Sequence, residues 1–499
     1  MTTPDDVFEQ QRLANVRPPD WRNPVPADRY HLVVVGAGPA GLIAAKGAAG
    51  LGARVALVEH NLIGGDCLNV GCVPSKALIR TARVYAEMRN ASHYGAADPG
   101  HVQVDFAAAM AHMRRLRARI SRSDSITGLT VAGIDVFLGH ARFTATDSLD
   151  VDGVRLRFGR AMIATGSRPD TPSIEGLEHA GYLTNETVFD LTALPARLLV
   201  VGGGPLGCEL AQAFSRFGAS TIIAQDLPLF LPKEERDAAQ LLSDAFARDG
   251  LEVRLNTTVT AVRKQDDDLR VDMVSDDHHS SVTVDAILAG VGRLPNIEGM
   301  DLDAAGVEVD PKAGIQVDDF LRTGNRRVYA AGDVCLEHMF TDAADASARI
   351  VVRNALFPGK QRVSALTIPW CTYTDPEIAH VGLYVRQANQ QDISVRTFTV
   401  PMHEIDRAIL DGEQTGFVKI HVAQHSDKIL GATIVARHAG EMINEITVAM
   451  VNGIGLNRLA NVIHAYPTQA EAIRKAANAS NRERLTPFIA GLLRWWIRR

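Results

Sequence analysis

The chain has 499 residues, 46% of them hydrophobic and 22% charged, a balance that suits an ordinary globular protein of about three to four domains. Its net charge of −6 excludes a general basic surface for nucleic acid, and no apolar run approaches the ~20 residues of a membrane-spanning helix. The N-terminus lacks a basic-then-apolar signal pattern, and with only five cysteines the expected setting is a reducing cytoplasm. There a close cysteine pair points to catalysis or metal binding over a structural staple.

Residues 1–30 are polar and dotted with Pro18, Pro19, Pro24 and Pro26, and are expected to form an irregular arm. His31–Val35 is an apolar strand pattern. The loop Gly36-Ala37-Gly38-Pro39-Ala40-Gly41 follows, then a helix over Leu42–Gly50 and a second strand, Arg54–Val58, that ends in Glu59. Residues 103–125 carry Phe106, Met110, Met113 and Leu116 at helical spacing and suit a scaffold helix. Strands around Val131–Phe143 and Leu149–Phe158 predict a small β-meander. A second strand, Arg197–Val201, leads into Gly202-Gly203-Gly204-Pro205-Leu206-Gly207, a helix to about Phe217, and a strand Ser220–Ala224 that ends at Gln225-Asp226. Asp266-Asp267-Asp268 and Asp276–Ser281 mark exposed hairpin turns within Val253–Leu288. From Ile368 the pattern changes: strands around Gly416–Val422 and Ile429–Val435 and a helix around Glu441–Gly453 predict an α+β interface domain. The tail 485–499 mixes bulky apolar residues, Trp495-Trp496 and terminal arginines. That composition suits a helix lying in a membrane interface; the alternative is an arm packed on the body or on a partner subunit.

The chemistry concentrates in Gly64-Gly65-Asp66-Cys67-Leu68-Asn69-Val70-Gly71-Cys72-Val73-Pro74-Ser75-Lys76. Two cysteines with four residues between them, about thirty residues after a dinucleotide-type loop, put a dithiol beside an electron-carrying cofactor and predict two-electron transfer through a flavin to sulfur. One G-x-G-x-x-G is a weak signal, but two, each after an apolar strand and before a helix, make a strong one. The first suits FAD: Gly36 for the tight turn, Gly38 for approach of the pyrophosphate, Gly41 for packing helix on strand, with the helix N-terminus favouring phosphate charge. Glu59 can accept bonds from the ribose hydroxyls. Asp333, closing Ala330-Ala331-Gly332-Asp333, can receive a bond from the ribityl side, or be a plain turn residue. Thr165-Gly166-Ser167 and Gly292-Arg293 resemble crossover segments between two nucleotide domains. Gly202, Gly204 and Gly207 would hold a nicotinamide nucleotide, with Gln225 and Asp226 where the 2′ position is read. An acid there favours NAD and an arginine NADP. No arginine follows closely, which leans to NADH, although Asp226 sits one place further on.

With these motifs in this order, the chain resembles the flavin-dependent pyridine nucleotide–disulfide oxidoreductases, the group of lipoamide dehydrogenase, glutathione reductase and mercuric reductase, over about residues 31–480. The resemblance implies an α/β fold with two Rossmann-like three-layer domains and a C-terminal α+β dimerisation domain. The expected boundaries are an arm at 1–30, an FAD-binding domain at 31–175, an NAD(P)-binding domain at 176–299, a second FAD or central part at 300–367, a dimerisation domain at 368–484 and the tail at 485–499. It also implies FAD as cofactor, contacted by Pro39, Ala40, Gly65, Asp66, Cys67, Lys76, Thr165, Gly166, Ser167, Gly332 and Asp333 as well as the loop glycines and Glu59. NAD(P)H is the co-substrate, with Gly292 and Arg293 on its side. Cys72 would be the thiolate against the flavin, Cys67 the interchange thiol that meets substrate, and Lys76 would pair with Glu209. A cation one turn after a cysteine at a helix start suits a thiolate on physical grounds too.

Near the C-terminus lipoamide and glutathione reductases resemble each other in a His-Pro pair followed by a Glu that orients the His. Here the run is Ile463-His464-Ala465-Tyr466-Pro467-Thr468-Gln469-Ala470-Glu471. Tyr466 stands in the base's place, and a phenol of pKa ~10 is a poor general base at neutral pH. His464, two residues upstream, is either a substitute base or a packed histidine; Glu471 holds the orienting position. Tyr466 resembles mercuric reductase, as does Tyr182. Two tyrosines beside a dithiol suit a soft cation such as Hg(II), held transiently by Cys67 and Cys72. The C-terminal cysteine pair of mercuric reductases is absent, since no cysteine follows Cys371. Cys208, Cys335 and Cys371 are expected as packed thiols. The expected enzyme is a homodimer in which Tyr466 acts in trans, taking a small thiophilic substrate and no nucleic acid. It works on Hg(II) or a related metal, with two alternatives: a lipoamide dehydrogenase-type disulfide oxidoreductase, and a flavoprotein docked by its tail at the inner membrane face.

Overall fold

A computed structural model describes residues 6–97, 102–266, 268–276, 278–485 and 487–498. Residues 1–5, Asp267, Asp277, Thr486 and Arg499, which fall in segments read above, lie outside the described residues. The chain forms two compact units, Met1–Pro228 with Arg254–Leu366, and Leu229–Val253 with Thr367–Arg499.

In the first unit, the valine-rich strand β1 (Tyr30–Val35) pairs in parallel with β2 (Val55–Glu59), Leu32 opposite Val55 and Val35 opposite Val58. Parallel strands covered on both faces read as continuous apolar runs. Leu32 and Val34 accordingly enter one core and Val33 and Val35 another. The sheet order is Ile134–Leu138, β2, β1, Val154–Ile163, Ser148–Val151, Ala141–Ala145, with Val328–Ala330 also on Val154–Ile163. The meander is thus confined to 141–163. The stretch expected to begin it at Val131 instead ends a helix, Ile126–Val131, and Ile134–Leu138 joins β2 in parallel. Helix α2 (Pro39–Gly50) packs its alanines on the sheet, starting earlier than expected because Pro39 is favourable in a first helical turn.

A second parallel set, Arg197–Val201 between Ser220–Ala224 and Ala286–Ala289, carries the helix Pro205–Phe217. Thr257–Gln265, Asp268–Ser275 and His278–Val284 form an antiparallel sheet. Asp266 (φ 56°) and Asp276 (φ 45°) occupy the left-handed turn positions that Asp tolerates. The second turn is shorter than expected: His278–Ser281 pairs with Asp272–Ser275 along a solvent face that accepts polar residues.

The N-terminal segment is not an irregular arm throughout. Val7–Val16 is a helix, α1, capped by Asp6, whose Oδ1 accepts from Phe8 N (2.9 Å) and Glu9 N (2.8 Å). Two of its three buried residues, Glu9 and Arg12 beside Val16, are charged, so it lacks the apolar periodicity by which a helix is recognised in sequence. Phe106–Ile120, α5, lies inside the predicted 103–125, and Ser121–Asp124 continues as a 3-10 turn.

The second unit is a five-stranded antiparallel sheet in the order Pro369–Thr372, Glu377–Gly382, Ile429–Ala436, Phe417–Ala423, Val395–Pro401. Helices Ala439–Val451 and Glu471–Glu483 pack on it around one apolar core. Residues 229–253 join this unit through Glu234, which accepts from Trp370 Nε1 (2.9 Å) and Tyr384 Oη (2.7 Å). The tail is an exposed helix, Pro487–Ile497, with no buried residue. No helix among the described residues is long and apolar enough to cross a membrane.

A candidate dithiol active site

After β2 the chain turns at Gly64 (φ 96°) into a five-residue helix, α3 (Gly65–Asn69), which carries Cys67. Gly71 then separates it from α4 (Cys72–Arg89), whose first residue is Cys72. A side chain on Gly71 would place its Cβ 2.9 Å from the Asp66 carbonyl oxygen, so the two helices close on each other only with glycine between them. Cys72 sits among the unsatisfied N–H groups of a helix start, where negative charge is stabilised. Lys76, one turn on, pairs with Glu209 at 2.8 Å; the carboxylate is buried in the Pro205–Phe217 helix. Cys72 Sγ also lies 3.4 Å from Thr341 Oγ1.

The two thiols are made unequal. Cys67 is pushed well above the ordinary thiol range by its hydrogen bond to Cys72 and by burial. Cys72 is lowered to about 6, first by that same bond, then by Lys76 and Thr341, against the opposing effect of burial. Near neutral pH the pair is therefore a thiol at Cys67 and a thiolate at Cys72, the nucleophilic form of sulfur.

The glycine loop beside this pair is built for close backbone approach. A Cβ on Gly41 would lie 1.8 Å from the Gly36 carbonyl oxygen, and one on Gly65 2.6 Å from Gly38 Cα. Buried Glu59 accepts from Ala37 N and Asn61 N, both at 2.7 Å. The second loop repeats the plan: a Cβ on Gly207 would lie 2.3 Å from the Gly202 carbonyl oxygen, and Gln225 Oε1 accepts from Gly203 N at 2.5 Å. Asp226 is exposed, and its Oδ1 accepts from Gln225 Nε2 at 3.1 Å.

The crossovers meet as a two-stranded ribbon, Ser167–Pro169 against Arg293–Pro295. Ser167 Oγ donates to Asp333 Oδ2 at 2.8 Å, and Arg293 Nε donates to Ser167 Oγ at 2.7 Å. Burial raises the Asp333 pKa against the opposing Ser167 bond. Thr165 Oγ1 donates to the Asn296 carbonyl (2.7 Å), and Asp170 N to that of Gly292 (3.0 Å). Arg293 also forms an ion pair with Asp66. Its side-chain partners are thus Ser167 and Asp66, set by the ribbon that pairs it with Ser167.

Comparison with known proteins decides the class. Residues 30–348 match the pyridine nucleotide-disulphide oxidoreductase domain, and residues 368–477 the dimerisation domain of pyridine nucleotide-disulphide oxidoreductases. The chain belongs to the pyridine nucleotide-disulphide oxidoreductase family. It is 33% identical over 454 residues to a mercuric reductase of Streptomyces lividans, covering 90% of this chain and 95% of that one. It is 33% identical over 465 residues to a dihydrolipoyl dehydrogenase of Thermus scotoductus, covering 91% and 98%. Among solved structures, the HOCl-induced flavoprotein disulfide reductase RclA from Escherichia coli superposes with a TM-score of 0.81 at 28% identity, covering 90% and 99%. The fold read from the two glycine loops is therefore the fold of this family, which is FAD-dependent and uses NAD(P)H. The first loop fits that cofactor: its Gly36 and Gly41 stand too close to backbone for any side chain, and the helix that begins after Gly38 has no side-chain cap, so its N-terminus suits pyrophosphate charge.

The other residues picked out by family resemblance are distributed differently. Tyr182 donates to Thr171 Oγ1 at 3.3 Å, while Asn185, three residues on, donates to the Val70 carbonyl between the two cysteines. In the second unit Tyr466 is 72% exposed and donates to Asp406 at 2.9 Å, a bond that raises its pKa. His464 Nε2 meets Glu445 at 3.0 Å, whereas Glu471 holds Arg474 at 2.7 Å. The carboxylate facing His464 is Glu445, from the helix Ala439–Val451, while Glu471, expected at the orienting position behind Tyr466, opens its own helix and turns along it to Arg474. Burial raises the Cys208 and Cys335 thiols, as suits packed cysteines; Cys371 is half-buried.

Sequence reasoning missed Thr341, whose only sequence signal is a hydroxyl at the start of the helix Thr341–Leu356. It also missed the group around Asn69. Asn69 is 3% exposed and receives Arg12 Nη1 on Oδ1 and Arg117 Nη1 on its carbonyl, each at 2.6 Å.

Proposed function

We propose that this chain reduces a thiophilic acceptor, Hg(II) foremost, at Cys67 and Cys72. The unequal dithiol, with Lys76–Glu209 behind its thiolate, is the observation that carries the reading. When bound, FAD passes a hydride equivalent from NAD(P)H to the sulfur pair. One hydride cleaves the S–S bond and leaves a Cys67 thiol and a Cys72 thiolate. Cys67 then releases its proton on meeting the soft cation, and both sulfurs coordinate it. The two thiolates then give up two electrons to the bound cation and rejoin as the Cys67–Cys72 disulfide, so that the net reaction is Hg(II) plus NAD(P)H to Hg(0), NAD(P)⁺ and a proton. Lys76 holds the negative charge at Cys72, and Glu209 fixes the ammonium. Asp333, Ser167, Arg293 and Asp66 line the flavin side, and Glu59 the adenosine end.

NADH is the proposed donor. Asp226 sets a carboxylate beside the neutral Gln225, which disfavours a 2′-phosphate there. The proposed assembly is a cytoplasmic homodimer in which Tyr466 serves the partner's site. A lack of Hg(II)-dependent NAD(P)H oxidation by the holoenzyme, or its survival in Cys67→Ala, overturns the metal reading. Fast turnover of dihydrolipoamide replaces it with the lipoamide-type reading, which His464–Glu445 favours as a carboxylate-oriented imidazole.

The exposed tail favours a docking role in addition. On the helix Pro487–Ile497, Phe488, Leu492 and Trp496 follow at four-residue spacing, while Arg494 and Arg498 share the opposite face and no acid is present. Such a helix suits an anionic lipid surface. Deleting residues 485–499 is expected to abolish co-sedimentation with phosphatidylglycerol vesicles; unchanged pelleting ends this reading.

A further inference from the structure

The strongest feature outside the dithiol is a buried charge network between the N-terminal helix and the segment that carries Cys67. Glu9 is 2% exposed, Arg12 6% and Arg117 1%. Glu9 Oε2 accepts from Arg12 Nε (3.0 Å) and Nη2 (2.7 Å), and Oε1 pairs with Arg117. Both arginines then converge on Asn69, as described above. Asn69 Nδ2 in turn donates to the carbonyls of Gly65 (2.9 Å) and Ile63 (3.1 Å). Every polar atom of the Asn69 side chain is thus committed. Buried ions are costly unless paired and hydrogen-bonded, and here each arginine pairs with Glu9 and gives one further donor, its Nη1, to the last residue of α3.

That residue matters because α3 is too short to hold its own shape. Five residues close about one turn, so their position is set by what grips them from outside. Asn69, the last residue of the element, bonds back to Gly65, the first, and Cys67 lies midway between the two. α1 precedes the matched family domain, which starts at residue 30.

We infer that Glu9, Arg12, Arg117 and Asn69 form a positioning network through which α1 fixes Cys67 against Cys72. The inference rests on the proposed redox role of the pair. Closing a disulfide between held sulfurs gains a large effective molarity, and a misplacement of about 1 Å can cost about 100-fold. Loosening α3 shifts the pair toward the open dithiol.

The test measures the dithiol–disulfide equilibrium of the FAD-loaded protein in dithiothreitol redox buffers, by mass mapping of alkylated Cys67. Arg12→Met removes the link to Asn69 at nearly equal volume. Arg12→Lys keeps a cation for Glu9 but cannot serve both partners, and covers the case where Arg12→Met does not fold. Arg114→Met is the comparator, since Arg114 pairs with Asp6 on the same helix without touching Asn69. Both Arg12 variants are expected to shift the equilibrium about 10-fold or more toward dithiol, with Arg114→Met within about two-fold of the parent. An unshifted equilibrium in the Arg12 variants, or an equal shift in Arg114→Met, overturns the positioning role. If the parent pair never closes in these buffers, the redox reading itself has failed.

Discussion

The two strand–loop–helix units of the first compact unit are built alike down to a single hydrogen bond, and they differ in the atom that receives it. Val35 stands opposite Val58 and Val201 opposite Ala224, so Glu59 and Gln225 occupy matching places one residue beyond. Each accepts from the second residue of its glycine loop, Ala37 in one and Gly203 in the other. A carboxylate so engaged keeps acceptor capacity on both oxygens, whereas an amide keeps one acceptor and must find partners for its donors. Gln225 spends a donor on Asp226. The same backbone frame thus ends in an acid at the first loop and in a neutral group with a displaced acid at the second.

The largest effect should come from breaking the frame itself. Gly41→Ala forces its Cβ into the Gly36 carbonyl and should cost nearly all bound flavin, read as visible absorbance surviving gel filtration. Gly207→Ala meets the corresponding clash in the other unit, and should keep the chromophore but lose its reduction by NADH. Equal flavin loss in both variants would break the assignment of one nucleotide to each loop.

Next comes Lys76–Glu209, an ion pair within the first compact unit. Cys72 titrates at about 6 in the parent, so activity should fall as pH drops through that value. Removing the cation in Lys76→Met favours the neutral thiol and raises the pKa, moving this acid limb to higher pH by about 1 unit. A limb that stays in place would remove Lys76 from the charge balance.

A smaller effect tests the acid-for-amide difference. Gln225→Glu should raise the kcat/KM preference for NADH over NADPH by about 10-fold, and Asp226→Asn should lower it. No change in either would separate the strand end from nucleotide choice. Smallest, Thr341→Val removes a hydroxyl from Cys72 and should raise its pKa by a few tenths of a unit, seen in the pH dependence of Cys72 alkylation.

Sequence alone determined the elements whose signal is local. The apolar strands, the glycine loops, Glu59 and the Cys67–Cys72 motif could be read directly, since backbone sterics and period-2 burial leave few other solutions for such runs. Tertiary structure decided whatever depends on a partner far along the chain. α1 escaped notice because its inner face is ionic, and Glu9 and Arg12 become core residues only once Arg117 and Asn69 meet them. Arg293 meets Ser167 and Asp66 because the crossover ribbon sets it beside them, and His464 meets Glu445 because a neighbouring helix supplies that carboxylate. A charged side chain is placed by the charge it finds, and that meeting is made by the fold.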